Sequence, residues 1–193
     1  MRRVLAVAVA TLSLLSIGAA PAVAGGPDNV VVSEATGAPG TAVTHSSVLA
    51  QPTGTNELTS ANIASAESHD CFGCRAVAVA FEAVFATGHP SVVKPLNVAT
   101  AVNLNCTGCD TFAFAFQYVV LTGGPAHLSA AGQEAVDQLS RDVAGVTAAD
   151  LTFFERVAQL QALGARFRQI VDTELVHSGQ SADGTVHERM DAA

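Results

Sequence analysis

The chain has 193 residues, 49% hydrophobic and only 13% charged, with four cysteines, no tryptophan and a net charge of −8. That length suits one domain of ordinary size. The acidic balance repels phosphate backbones and anionic lipid, so nucleic acid is not an expected partner.

The opening segment sets the compartment. Arg2 and Arg3 precede an apolar run from Val4 to Ile17, and Ala22-Val23-Ala24 places small residues where a signal peptidase reads. Charged start, apolar middle and A-x-A exit describe a cleavable secretory signal over residues 1–24. The run is shorter than the ~20 residues a bilayer crossing needs. A secreted protein with no stable membrane span after cleavage is the expectation. Its partner is unspecified, with other envelope proteins the expected class. Without the two leading arginines the acidic excess grows.

Residues 25–60 are rich in Gly, Pro, Ser, Thr and Ala. Strand-like runs at Asn29 to Glu34 and Val43 to Ala50 predict a loose hairpin or a partly ordered arm.

A single globular domain is expected over 62–177, and it begins with an internal repeat at an offset of 35. Residues 62–90 match 97–125 at 13 of 29 positions without a gap. Asn62, Ala64 and Ala66 return as Asn97, Ala99 and Ala101, and Cys71, Gly73 and Cys74 return as Cys106, Gly108 and Cys109. Identity of this extent marks a repeated supersecondary unit. Alternation over 62–68 and 97–103 suits a short strand. Asp70 and Asn105, just before each leading cysteine, are strong helix N-cap types. Gly88 and Gly123, followed by Pro90 and Pro125, suit helix exits. The punctuation predicts helices over 71–87 and 106–122. A strand competes, because Ala76 to Phe81 and Ala113 to Phe116 alternate small and large residues. The helices would be apolar nearly all round, with a narrow stripe of Arg75 and Glu82, or Asp110 and Gln117, and so buried on most sides.

Residues 129–177 read as a helical pair. Ser129 caps a helix to about Ala144, ended by Gly145. Thr147 to Asp150 resembles a capping box for a second helix reaching about His177. Phe153, Val157, Leu160, Gly164, Phe167 and Val171 form a stripe at helical spacing, read as core packing in preference to a partner groove. Residues 178–193 are polar and aperiodic and read as a disordered tail. The fold class expected is α+β: a small sheet carrying two pseudo-symmetric strand–helix C-x-x-C repeats, closed by the helical pair.

Three chemistries suit Cys71, Cys74, Cys106 and Cys109. Disulfides suit an even count in an oxidising compartment. Pairing within each motif is favoured by proximity, and pairing between motifs by loop entropy. Redox catalysis suits a C-x-x-C at a helix N-terminus, where the dipole favours thiolate; the surrounding pattern of long strands and a separate proline loop is not found. A tetrathiolate zinc site suits two C-x-x-C pairs, though the interval between them is long; His69 beside Asp70 is a substitute ligand. Structural disulfides are the favoured reading, with no cofactor or resident metal. No G-x-S-x-G, P-loop or dinucleotide fingerprint occurs. His45, His89, His127 and His177 have no matching nucleophile, so no catalytic residue is assigned.

The motif Asn97-x-Ala99-x-Ala101, Cys106-Thr-Gly-Cys109, Ala113-Phe-Ala115-Phe116-Gln117, with its earlier copy, resembles the C-terminal extracytoplasmic region of actinobacterial putative peptide zinc metalloproteases. The resemblance covers about residues 29–176. In that family the protease label rests on a membrane-embedded His-Glu-x-x-His. The nearest string here, His187-Glu188-Arg189-Met190-Asp191, lacks the second histidine. The resemblance therefore implies an extracytoplasmic cysteine-repeat domain without protease activity.

Overall fold

The computed structural model describes residues 28–54, 56–88, 90–177 and 186–193. The expected signal at 1–24 and the first part of the expected tail, 178–185, lie outside these residues.

The chain winds into stacked coils. The first comprises β1 (Asn29–Thr36), β2 (Ala42–Thr53) and β3 (Glu57–Leu58). The second comprises β4 (Ala61–His69), β5 (Arg75–Thr87) and β6 (Val92–Val93), and the third β7 (Leu96–Leu104) and β8 (Asp110–Thr122). Every strand pairing between coils among the described residues is parallel: β1 on β4 on β7, β2 on β5 on β8, and β3 on β6. Asn62 pairs with Asn97, Ala78 with Ala113 and Phe81 with Phe116, so the sequence offset of 35 is the register between the second and third coils. The architecture is a short parallel β-solenoid, flattened so that the β4 face and the β5 face close on each other.

This overturns the helices expected over 71–87 and 106–122. Both stretches form corner turns followed by 13-residue strands. β5 is buried at every position except its two ends. A strand covered on both faces has no polar side, so its sequence looks like a helix buried all round. The two faces differ in shape instead. Ala76, Ala78, Ala80, Ala113 and Ala115 point into a narrow lumen opposite Ala64, Ala66 and Val31. Val77, Val79, Phe81, Phe112, Phe114 and Phe116 point outward beneath the helices. The alternation of small and large residues records these two environments. The supposed polar stripe is a set of stacked pairs, Arg75 on Asp110 and Glu82 on Gln117.

The residues expected as helix caps serve the corners. Asp70 and Asn105 each take a left-handed backbone, with φ of 51°. Asn and Asp tolerate that conformation better than other residues with a Cβ. Gly88, with φ of 85°, and Gly123 close strands, not helices. The segment read as a loose hairpin forms the first coil: β1 and β2 are both strands, but they hydrogen-bond to β4 and β5 and not to each other.

The mixed α+β class stands, with two helices on the outer face of β5 and β8. α1 (Ala130–Ala148) starts at Ser129, whose hydroxyl accepts from the Gly132 N–H, and runs past Gly145. Thr147 belongs to this helix; its hydroxyl donates to the Val143 carbonyl at 2.7 Å. α2 (Phe153–Glu174) begins one turn later than expected, in a capping box between Thr152 and Glu155. Leu160, Gly164, Phe167 and Val171 are buried, and Phe81 sits 5.5 Å from Phe116 and 6.2 Å from Phe167 between ring centroids. A Cβ on Gly164 would lie 3.1 Å from the Phe116 ring, so glycine lets α2 approach β8 closely. β9 (Ala126–Leu128) and β10 (Leu175–His177) pair antiparallel at the helix ends. The end of the expected tail is a strand: β11 (Val186–Ala192) lies antiparallel along β8 and covers its open edge.

Candidate functional site

The feature with the most chemistry is one solenoid corner, where β4 turns into β5 and β7 into β8. In each coil the corner reads Asp or Asn, Cys, any residue, Gly, Cys. Gly73 and Gly108 take left-handed φ values of 64° and 68°, a conformation costly for a side chain. The ladder continues around the turn. The Gly73 N–H donates to the Thr107 carbonyl at 2.9 Å, the Asp110 N–H to the Cys74 carbonyl at 2.9 Å, and the Asp70 N–H to the Leu104 carbonyl at 3.0 Å. The Asn105 amide donates to the Asp70 carboxylate at 3.2 Å.

This scaffold brings all four cysteines together. Cys71 is bridged to Cys74 and Cys106 to Cys109, with Cα atoms 6.1 Å and 6.0 Å apart. Those spacings fall in the usual disulfide range. Because the coils stack, the bridges stack too: Cys71 Sγ is 3.8 Å from Cys106 Sγ. The Cys74 N–H points at Cys109 Sγ, 3.3 Å away. Cys74 is fully buried and the other three are partly buried against the alanine lumen. His69, the substitute ligand, points elsewhere: its Nε2 meets Glu34 at 2.8 Å and its Nδ1 faces Asp70 at 3.4 Å. The hydrogen bond with Glu34 holds its pKa above the ordinary value.

Beside the corner, Asp110 forms ion pairs with two arginines and accepts a hydrogen bond from one of them, Arg156. Its Oδ2 lies 3.4 Å from Arg75 Nε and 3.4 Å from Arg156 Nη2. Arg156 is wholly buried, with its guanidinium 4.9 Å above the Phe112 ring. Arg75 reaches the carbonyls of Thr147, Ala148 and Ala149 at the C-terminus of α1. Cations suit the exposed carbonyls of a helix end. These residues fasten the helical pair to the cysteine corner.

Sequence reasoning missed two polar networks in the lumen. Asn29, Asn62 and Asn97 form a ladder. Asn29 Nδ2 donates to Asn62 Oδ1 at 2.9 Å, Asn62 Nδ2 to Asn97 Oδ1 at 2.7 Å, and Asn97 Nδ2 to Asp191 of β11 at 3.1 Å. The same amides cross the lumen to the carbonyls of Phe81, Ala80, Phe116 and Ala115. The recurrence of asparagine at 29, 62 and 97 was the available signal. In the second network Gln117 Nε2 donates to Glu82 at 2.7 Å and to the Ser60 hydroxyl at 3.1 Å. Burial raises the Glu82 pKa to about 7, against the opposing pull of the Gln117 hydrogen bond. Glu82 Oε1 has no partner among the described residues. An open cleft of about 430 Å3 beside Gln117 is lined by Val93, Lys94, Pro95, Glu188 and Arg189.

These features define a short parallel β-solenoid with stacked corner disulfides and a helical pair docked on one broad face. Comparison with known proteins found no matching family model, no matching curated protein and no matching solved structure. No helix among the described residues is long and apolar enough to cross a membrane. The paired cysteines are compatible with an extracellular location.

Proposed function

We propose that the chain is a secreted, non-catalytic binding or structural module, and that its two disulfides each staple the corner turn of one of two successive coils. The stacking of the two bridges carries this reading. Each closes its own turn, and together they stiffen the end of the lumen where the helical pair is fastened. The outer face of β1, β4 and β7 is the expected contact surface for an envelope partner. It is a flat parallel sheet whose register sets Val30, Ile63 and Val98 in one row and Val32, Ser65 and Thr100 in the next. Val30 and Val32 are more than half exposed. We read the coils as copies of one ancestral unit, and the chain as a counterpart of the extracytoplasmic cysteine-repeat region it resembles. The matching corner motifs support both statements.

The test is a thiol titration of the exported protein, native and denatured, with metal analysis and N-terminal sequencing. No free thiol, no metal and a start at Gly25 are expected. Free thiols in the native protein, or an uncleaved leader, would count against the reading.

A second reading, thiol–disulfide exchange, is favoured by the 3.8 Å contact between Cys71 and Cys106. A thiolate released from one bridge would sit beside the sulfur of the other. A bridge that equilibrates near the potential of the glutathione couple would support exchange, and one resistant to glutathione would support the staple.

A further inference from the structure

The geometry points to a redox-gated metal site: when both bridges are reduced, the four sulfurs bind one soft divalent cation, zinc or cadmium, as a tetrathiolate shared between two coils. This goes beyond the staple and rests on it in one respect only, that the cysteines are paired in the resting protein.

A metal–sulfur bond of about 2.3 Å places the four sulfurs of a tetrahedral site about 3.8 Å apart along every edge. Cys71 Sγ and Cys106 Sγ, from different coils and not bonded to each other, are 3.8 Å apart. The sulfurs of Cys71, Cys74 and Cys109 all lie within 4.8 Å of one another. Sulfurs of both coils thus already stand near the edge length a metal requires; reduction lets each bonded pair spread toward that length, and Cys106 joins the set through its contact with Cys71. Each C-x-x-C turn supplies two ligands, a usual arrangement in tetrathiolate sites.

The backbone that holds them does not depend on the bridges. The hydrogen bonds from Gly73 to Thr107, from Asp110 to Cys74 and from Asp70 to Leu104 join the two turns directly. The ligand positions therefore persist after reduction. The Cys74 N–H at 3.3 Å from Cys109 Sγ favours the thiolate that a metal needs. The burial of Cys74 keeps one side of the cluster dry.

The electron and proton balance is simple. Two molecules of a small dithiol each deliver two electrons and close to their own cyclic disulfides. The Cys71–Cys74 and Cys106–Cys109 bonds break to four thiols. The cation then displaces four protons to solvent. Reoxidation reverses the sequence and releases the metal.

The test uses the full chain. After a thiol count, the protein is reduced anaerobically with a dithiol, freed of reductant by gel filtration and titrated with cobalt(II), then with zinc(II). One cobalt per chain is expected, with the intense visible bands of a tetrahedral tetrathiolate, bleached by one equivalent of zinc and lost on reoxidation with diamide. The double variant Cys106→Ser/Cys109→Ser should lose those bands. Two metals per chain, bands that survive the double variant, or no cobalt uptake by the reduced chain would each overturn the site. Circular dichroism of the reduced, metal-free chain follows the fold: if strand signal falls, its recovery with one zinc supports the site and its failure to recover overturns it. Free thiols found before reduction would overturn the staple and the redox gate together, whereas failure of the reduced chain to take up cobalt would overturn the metal site alone.

Discussion

Replacing Asn62 by alanine tests whether the asparagine ladder holds the coils in register. Asn62 is fully buried. Its Oδ1 accepts from Asn29, and its Nδ2 lies within hydrogen-bond range of Asn97 Oδ1, Ala80 O and Phe116 O, at 2.7, 3.1 and 3.0 Å. Alanine removes all of these and offers the buried partners nothing in return. Net hydrogen bonds of this kind contribute about 1 kcal/mol each, and a buried group left without a partner costs about 1–3 kcal/mol, so a total near 4 kcal/mol is expected. At about 2–4 °C per kcal/mol for a chain of this size, the melting temperature should fall by roughly 8–16 °C. Calorimetry of Asn62→Ala beside Ser65→Ala, an outward-facing neighbour on β4, makes the comparison. Asn62→Asp should be at least as damaging at neutral pH, because a carboxylate would face the acceptors that now receive the amide. A loss for Asn62→Ala no larger than that for Ser65→Ala would refute the claim that the ladder contributes to stability.

Three further outcomes follow from the structure. Glu82 has a folded pKa of about 7 against an ordinary 4.5. The unfolded chain therefore ionises first, and this group's contribution is full below about pH 4.5 and lost as pH rises through 7, an effect of up to about 3 kcal/mol. Glu82→Gln should flatten the stability profile across that window and raise the melting temperature at pH 7.5; an unchanged profile would remove Glu82 as its source. Each corner disulfide closes a loop of only four residues, so its entropic contribution is about 2 kcal/mol. Cys106→Ser/Cys109→Ser should then lower the melting temperature by roughly 4–8 °C and leave the strand signal in place; complete unfolding would mean that the bridges define the fold. Removing residues 186–193 strips β11 from β8 and takes Asp191 from Asn97. An uncovered strand edge recruits other chains, so the truncated protein should self-associate in light scattering, and a monodisperse monomer would argue against that role for β11.

Much of this architecture could be read in the residues, and the failures have identifiable causes. The offset of 35 was visible because stacked coils place like residues on like, and side chains that share a ladder face the same neighbours. The helical pair was visible because Ser129 and the spacing of Leu160, Gly164, Phe167 and Val171 are local signals. The nature of residues 71–87 and 106–122 was obscured because corners and helix ends draw on the same residues. Asp70, Asn105 and Gly88 all adopt left-handed backbone, which a turn uses as readily as a cap. The first coil was hidden by a different register. β1 and β2 sit at an offset of 33 from β4 and β5, whereas β3 sits at 35 from β6. The two extra residues fall between β5 and β6. The first corner also carries Ala38 and Thr41 at the positions aligned with Cys71 and Cys74, so no cysteine announces it. β11 reads as tail in the sequence because a strand lying along an edge keeps polar residues such as Glu188, Arg189 and Asp191.

The parallel register has a consequence for how such a molecule can change size. A gain or loss of one residue within β4 or β5 would push every later side chain onto the wrong face, whereas a whole turn of the spiral could be added with each side chain still above its counterpart. Every added turn would widen the flat outer surface by about 4.8 Å and extend the asparagine column by one amide. The natural unit of growth is therefore the entire winding, so the breadth of this surface would change through copying of a segment more readily than through point substitution.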